Sequence, residues 1–178
     1  DLLMPQGWRI LGTTRGADKA DRIAATGVEP IIWPGTDVSS LIETVPNILV
    51  SAGPGPEGDP VLNALEGCIS RAAGHLRWVG YLSTTGVYGD HDGAWVDEET
   101  PLTPSTARGK ARIAAERRWQ DIPDLPLHIF RLAGIYGPGR GPFAKVSDGT
   151  ARRIIKPGQV FSRIHVDDIA QALALSLA

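Results

Sequence analysis

Cysteine is almost missing from this 178-residue chain. Cys68 stands alone, which excludes an internal disulfide and fits a reducing, cytoplasmic setting. In its apolar, helix-like surroundings that thiol reads as core packing rather than as a reactive group. An excess of either charge is also missing: 18 Lys and Arg face 20 Asp and Glu, a net charge of −2. A nucleic acid or an anionic membrane as partner would ask for a basic face, so neither is expected. No apolar run reaches the roughly 18 residues that a membrane-spanning helix needs. The four His and one Cys show no spacing suited to metal ligation, so no metal is expected. Internal repeats, low-complexity tracts and charged tails are absent as well. No signal peptide is expected, and the first residue is not Met. The opening "DLLMPQGW" reads like the tail of a helix, and a natural N-terminus upstream of it is expected.

What is present is ordinary globular composition, 42% apolar and 21% charged, in a length that suits one domain over residues 1–178. Apolar runs alternate with helical patterns. Residues 8–14, 28–33, 47–51, 77–83 and 127–132 read as strands, and residues 17–26, 60–73 and 104–120 as helices. Gly27 closes the first helix and Pro60 suits the first turn of the second. In the last segment, "VDDIAQALALSLA", Ile169, Leu173 and Leu177 recur at helical spacing and Asp167 stands as the expected N-cap. Residues 137–165, rich in Gly, Pro and Arg, show no clear period and read as a loop-rich cap on the substrate side.

Mostly apolar strands alternating with helices predict an α/β fold, a Rossmann-like parallel sheet with helices on both faces. Such sheets bind ligands at the C-terminal ends of their strands, so the loops after residues 14, 51, 83 and 132 carry the interest. The first holds Thr13, Thr14 and Arg15 and no acid. An acidic side chain there would accept from an adenosine ribose hydroxyl, whereas an arginine pairs with a 2′-phosphate. If a dinucleotide binds, NADP is preferred to NAD; the plain alternative is a solvated loop arginine. The second loop, Ser51-Ala52-Gly53, is small enough for a flat ring to approach its backbone, though any turn uses such residues. The third, Ser83 and Thr84 in "STTGVYGD", offers hydroxyls to a substrate carbonyl or simply caps a turn. The fourth begins Ala133-Gly134.

Taken in order, "STTGVYGD", the acidic "VDEETPLTP", a helix ending "AAE", "RLAGIYGPGR" and "FSRIHVDDIAQAL" resemble the extended short-chain dehydrogenase/reductase superfamily, the NAD(P)-dependent epimerases and dehydratases. The resemblance runs from Trp8 onward. It implies a dinucleotide-binding domain and an active site of a Ser/Thr, a Tyr and a Lys. Thr84 falls on the Ser/Thr. The Tyr and Lys places, eight and four residues before Glu116, hold Arg108 and Arg112. The family's first strand with its Gly-rich turn, and the end of its substrate region, have no counterpart in these residues. An internal portion of a longer protein is therefore expected. Family members often pair into homodimers through helices beside the sheet.

Arginine keeps its proton at any ordinary pH and has no acceptor, so it does not replace a tyrosine in proton transfer. It does bind carboxylates and phosphates and stabilise oxyanions. Arg108, Arg112 and Glu116 sit at i, i+4, i+8 and are expected along one helix face. Facing the cofactor ribose or an anionic substrate is one reading of the arginines; a surface helix with an Arg112–Glu116 pair is the other. Tyr88, four residues beyond Thr84, and Tyr136 are alternative phenols for catalysis. His165 before Asp167 and Asp168 reads as a helix-start residue. Two functions remain open: an NAD(P)-dependent oxidoreductase or nucleotide-sugar epimerase/dehydratase-like protein with an atypical site and a small-molecule substrate, anionic if the arginines face it, or a non-catalytic NAD(P)-binding sensor or regulator.

Overall fold

A computed structural model describes residues 2–153, 155 and 157–178, with the side chain of Pro142 excepted. Every strand pairing in it is parallel. β1 (Leu11–Thr14) leads through α1 (Ala17–Ala24) to β2 (Glu29–Ile32), and these two strands pair, Thr14 opposite Ile32. A single helical turn, α2 (Ser39–Ile42), leads to β3 (Asn47–Val50). β3 pairs with β4 (Trp78–Thr84), and β4 with β5 (Leu127–Leu132), giving the order β3-β4-β5. α3 (Pro60–Ala72) and α4 (Ala107–Gln120) make the two crossovers. β1 and β3 are not hydrogen-bonded to each other, so the β1–β2 pair and the three-stranded sheet are separate ladders.

One core holds these elements together. Val50 of β3, Val79 and Tyr81 of β4, Leu62 and Ile69 of α3, and Ala115 and Trp119 of α4 are all buried in it. Ile31 of β2 and Trp33 just after it pack against the same cluster, so the β1–β2 pair shares this core without sharing hydrogen bonds. The α3 start is built by Asp59, whose carboxylate accepts from the amides of Val61 (2.9 Å) and Leu62 (3.0 Å) while Pro60 begins the helix. That cap satisfies two of the amides that a helix start leaves without partners.

The expected strands and helices are present with ends shifted by a few residues. The largest shifts are at the first strand, which begins at Leu11, and at the fourth helix, which begins at Ala107 with Thr106 as its cap. Asp167 is not the last helix's N-cap. α6 (Val166–Leu177) starts two residues earlier than that would require, and its N-cap is His165, whose Nδ1 accepts from the Asp167 amide. Asp167 and Asp168 instead lie in the first turn, where their charge suits the helix dipole. The segment 137–165, expected as a loop-rich cap, contains α5 (Pro142–Ser147) and β7 (Arg163–His165). β7 pairs with β6 (Gly134–Tyr136) in a separate two-stranded ladder.

Candidate functional site

The pleat of β4 decides which of its hydroxyls reach the end of the sheet. Side chains alternate along a strand, and Tyr81 and Ser83 both turn toward α4. Ser83 is buried and donates to Glu116 Oε1. Its hydroxyl is therefore committed to Glu116 inside the protein rather than presented at the strand end, where a cofactor contact is expected of it. Thr84, on the alternate phase, ends the strand half-buried. Its Oγ1 accepts from the Gly86 amide (3.2 Å), so the hydroxyl proton is left to give.

Beneath Thr84 lies a buried ionic group that the sequence does not reveal. Arg131 of β5 lays its Nε and Nη2 along the Glu116 carboxylate, with Nη2 2.9 Å from Oε2. The third nitrogen, Nη1, donates to the Tyr88 hydroxyl at 3.1 Å, and the guanidinium carbon lies 5.2 Å from the centre of that ring. Burial works against the Arg131 charge, but hydrogen bonds to Glu116 and Tyr88 outweigh it and raise its pKa. Tyr88 is 6% exposed and packs with Val87 and Ile113. Its phenol is turned to Arg131 rather than presented as a free acid at the strand ends.

α4 crosses close over this region because Gly109 lacks a side chain. A Cβ there would stand 2.8 Å from the Gly86 carbonyl oxygen and 2.8 Å from the Pro104 side chain. The buried face of α4 runs through Gly109, Arg112, Glu116 and Trp119. Arg108, expected on the same face, lies off this stripe and is exposed. The Arg112–Glu116 pair does not form, since Glu116 belongs to Arg131. Arg112 instead donates from Nη1 to the Leu82 carbonyl (2.9 Å) and to the Tyr81 hydroxyl (3.1 Å). Its Nη2 approaches Gly53 so closely that a Cβ at that glycine would be 2.8 Å away.

Tyr81 is fully buried, and that burial pushes its pKa up to about 12, with the Arg112 charge opposing the rise. A group whose pKa is higher folded than unfolded stabilises the fold fully below the unfolded value, near 10, and loses that contribution as pH rises through about 12. The chain has three tyrosines. A phenolate absorbance titration should show a late ionisation near pH 12, and Tyr81→Phe should abolish that late step. A late step that survives the substitution would belong to another residue.

The other expected contacts distribute as follows. Ser51 and Gly53 are exposed and Ala52 half-buried at the end of β3, adjacent to β4. Thr13 and Arg15 are exposed at the end of β1, whereas Thr14 is buried. Ala133 and Gly134 are half-buried after β5, and the Arg163 side chain covers Gly134, where a Cβ would be 2.6 Å from Nη1. Tyr136 is 41% exposed and meets the His165 ring edge-on at 5.0 Å. Ala52–Gly53 and Thr84 thus stand at the ends of adjacent strands, β3 and β4, and Arg112 of α4 reaches both Gly53 and the Leu82 carbonyl. Thr13 and Arg15 belong to the other ladder.

A concavity of about 440 Å³ lies at the opposite ends of the strands, lined in part by Asn47, Arg77, Trp78, His128 and Ser176. Its groups largely engage one another: Trp78 Nε1 donates to Ser176 (2.9 Å) and the indole stacks on His128 at 5.9 Å. The C-terminal strand ends, with an unengaged guanidinium edge beside an exposed glycine, are the stronger candidate. Among the described residues no set of three His, Cys, Asp or Glu is placed to hold a metal, and no helix is long and apolar enough to cross a membrane.

No family model matches the chain. Protein YeeZ of Escherichia coli K12 is 28% identical to it across 98% of the chain. A conserved protein from Silicibacter pomeroyi, described as functionally unknown, superposes with a TM-score of 0.93 at 62% identity over 99% of the chain. The chain spans 66% of YeeZ and 62% of the Silicibacter protein. UDP-glucuronic acid 4-epimerase from Bacillus cereus, solved with UDP-glucuronic acid and NAD, superposes with a TM-score of 0.75 at 20% identity, covering 99% of the chain and 67% of the enzyme. With its parallel strands, crossover helices and this superposition, the chain has the Rossmann-type fold of the NAD-dependent epimerases and dehydratases.

Proposed function

We propose that this protein binds NAD(P) across the ends of β3 and β4 and carries out oxidoreductase or nucleotide-sugar epimerase/dehydratase-type chemistry at Thr84. The observation that carries the reading is the juxtaposition at that rim. An exposed Ser51 and Gly53 and a hydroxyl with its proton free to donate occupy adjacent strand ends, with a fixed cation from α4 bonded to β4, in a fold whose solved relatives contain NAD. The residues suit a dinucleotide: the small side chains admit a flat ring, and Arg112 keeps nitrogens unengaged beside Gly53. Ser51, Ala52, Gly53 and Arg112 would hold the cofactor, with Ala133 and Gly134 at the next strand end. A bound nicotinamide supplies hydride transfer. Thr84 would hydrogen-bond and orient a substrate oxygen, and the Arg131–Glu116–Ser83 group beneath would keep the end of β4 rigid.

Arg15 extends the reading to NADP. It is exposed at the end of β1, and no ion pair engages it among the described residues. Arg15→Asp should weaken NADPH binding at least tenfold more than NADH binding, measured by calorimetry on the full-length protein. Equal losses would remove the 2′-phosphate contact.

A second reading, a dinucleotide-binding sensor without turnover, is favoured by one observation. Position 108 carries an exposed arginine, and the Tyr88 phenol is bonded to Arg131, so neither supplies the family's free tyrosine. Calorimetric titration of the full-length protein with NADH and NADPH, followed by absorbance assays at the reduced-nicotinamide band with carbonyl and nucleotide-sugar substrates, separates the two. Turnover supports the enzyme. Saturable binding without turnover across the panel supports the sensor, and no saturable binding removes both.

A further inference from the structure

Three arginines of this protein can be compared by how they use the edge formed by Nε and Nη2, the side of a guanidinium that fits two oxygens of one oxyanion. Arg9 lays that edge on Glu29, with both contacts at 2.7 Å. Arg131 lays it on Glu116. In Arg112 the edge has no partner. Nη1 takes the Leu82 carbonyl and the Tyr81 hydroxyl, Nη2 has no acceptor among the described residues, and Nε is a buried side-chain nitrogen without any partner. The residue is 7% exposed and forms no ion pair among the described residues. The nearby carboxylates are spent: Glu116 on Arg131 and Ser83, Asp59 on the α3 amides and Trp119. A buried guanidinium with one edge unpaired and no counter-charge is costly, and folded proteins leave few such donors unmade.

Gly53 leaves room at the Nη2 end of that edge. A side chain at position 53 would press on Nη2, with its Cβ 2.8 Å from that nitrogen. As a glycine, the exposed turn leaves Nη2 uncrowded, while Nε lies just below the surface.

Resting on the reading of this rim as the ligand site, we infer that the Nε/Nη2 edge of Arg112 is the seat of an oxyanion of the bound ligand, a phosphate of the cofactor or a carboxylate of the substrate. Nη1 is anchored to β4, so the charge stays fixed while the ligand's two oxygens complete the guanidinium. A lysine in this place would present a single mobile ammonium and no such edge.

The test uses the full-length protein with ¹⁵N-labelled arginine, in which the Arg112 Nε–Hε resonance is identified by its loss in Arg112→Lys. Inorganic phosphate, succinate and NADH are titrated separately. A saturable shift of that resonance with phosphate, with NADH competing for it, assigns the cofactor's phosphate. A shift with succinate that persists in saturating NADH assigns the substrate's carboxylate. In either case Gly53→Ala, which retains the arginine but crowds its Nη2, should weaken the responsive probe at least tenfold. An unmoved resonance with all three probes overturns the inference, as does a shift with NADH that phosphate neither reproduces nor competes with, or a Gly53→Ala protein that binds its probe unchanged. If NADH moves other resonances but not this one, the cofactor reading stands and the oxyanion seat falls. If succinate moves it while NADH moves nothing, the seat stands and the cofactor reading falls.

Discussion

Glu116→Ala should destabilise the protein by about 3–5 kcal/mol, the cost of breaking a buried ion pair from one side. The carboxylate is 1% exposed and receives Ser83 and Arg131. Removing it leaves the Arg131 guanidinium, whose side chain is only 18% exposed, with the Tyr88 hydroxyl as its remaining partner. Ser83 loses its acceptor in the same step. Replacing both charges by apolar residues, Glu116→Leu with Arg131→Met, should recover much of the loss, because the penalty lies in the stranded charge rather than in the absence of attraction. Urea unfolding of the three proteins measures this directly. A loss below about 1 kcal/mol in the single variant would mean that water reaches the pair and that it behaves as a surface contact. The same substitution bears on the site: Ser83 adjoins Thr84, so releasing Ser83 loosens the end of β4 where the substrate would bind.

That ionic group also marks where sequence reading stops. β5 is legible to the residue because "LHIFRL" is a compact apolar run between breakers, and α3 is legible because Pro60 and its helical spacing mark it. Arg131 sits in that apolar run, and its charge is the signal available that something buried must pair with it. Its partner lies 15 residues away on α4, and only the packing of that helix on the sheet shows that Glu116 faces Arg131 rather than Arg112. Helical spacing places Arg112 and Glu116 on one side of α4 but does not say what each meets there. Ser83 and Thr84 look equivalent in sequence, and the pleat separates them. The three-residue strands β6 and β7 are too short to show a period, so the segment between them reads as loop.

Trp119→Ala should cost about 3–5 kcal/mol, as loss of a large core aromatic typically does. Its side chain is fully buried at the centre of the main core. More than volume is at stake. The indole Nε1 donates to Asp59 Oδ2 at 3.3 Å, and Asp59 also caps α3. The ring meets Tyr81 at 5.8 Å, and the Tyr81 hydroxyl accepts from Arg112. Asp59, Trp119, Tyr81 and Arg112 therefore form one continuous path from the start of α3 to the strand ends. Trp119→Phe keeps an aromatic ring but removes the donor to Asp59, and should cost about 1–3 kcal/mol, in the range for leaving a buried polar group unpaired. If Tyr81 is held by Trp119, the late phenol ionisation should move toward pH 10 in Trp119→Ala as water enters the cavity, and stay near 12 in Trp119→Phe. Equal titrations in the two variants would show that the β4 backbone and Arg112 hold Tyr81 without help from the core, and would uncouple the stability of α3 from the geometry of the rim.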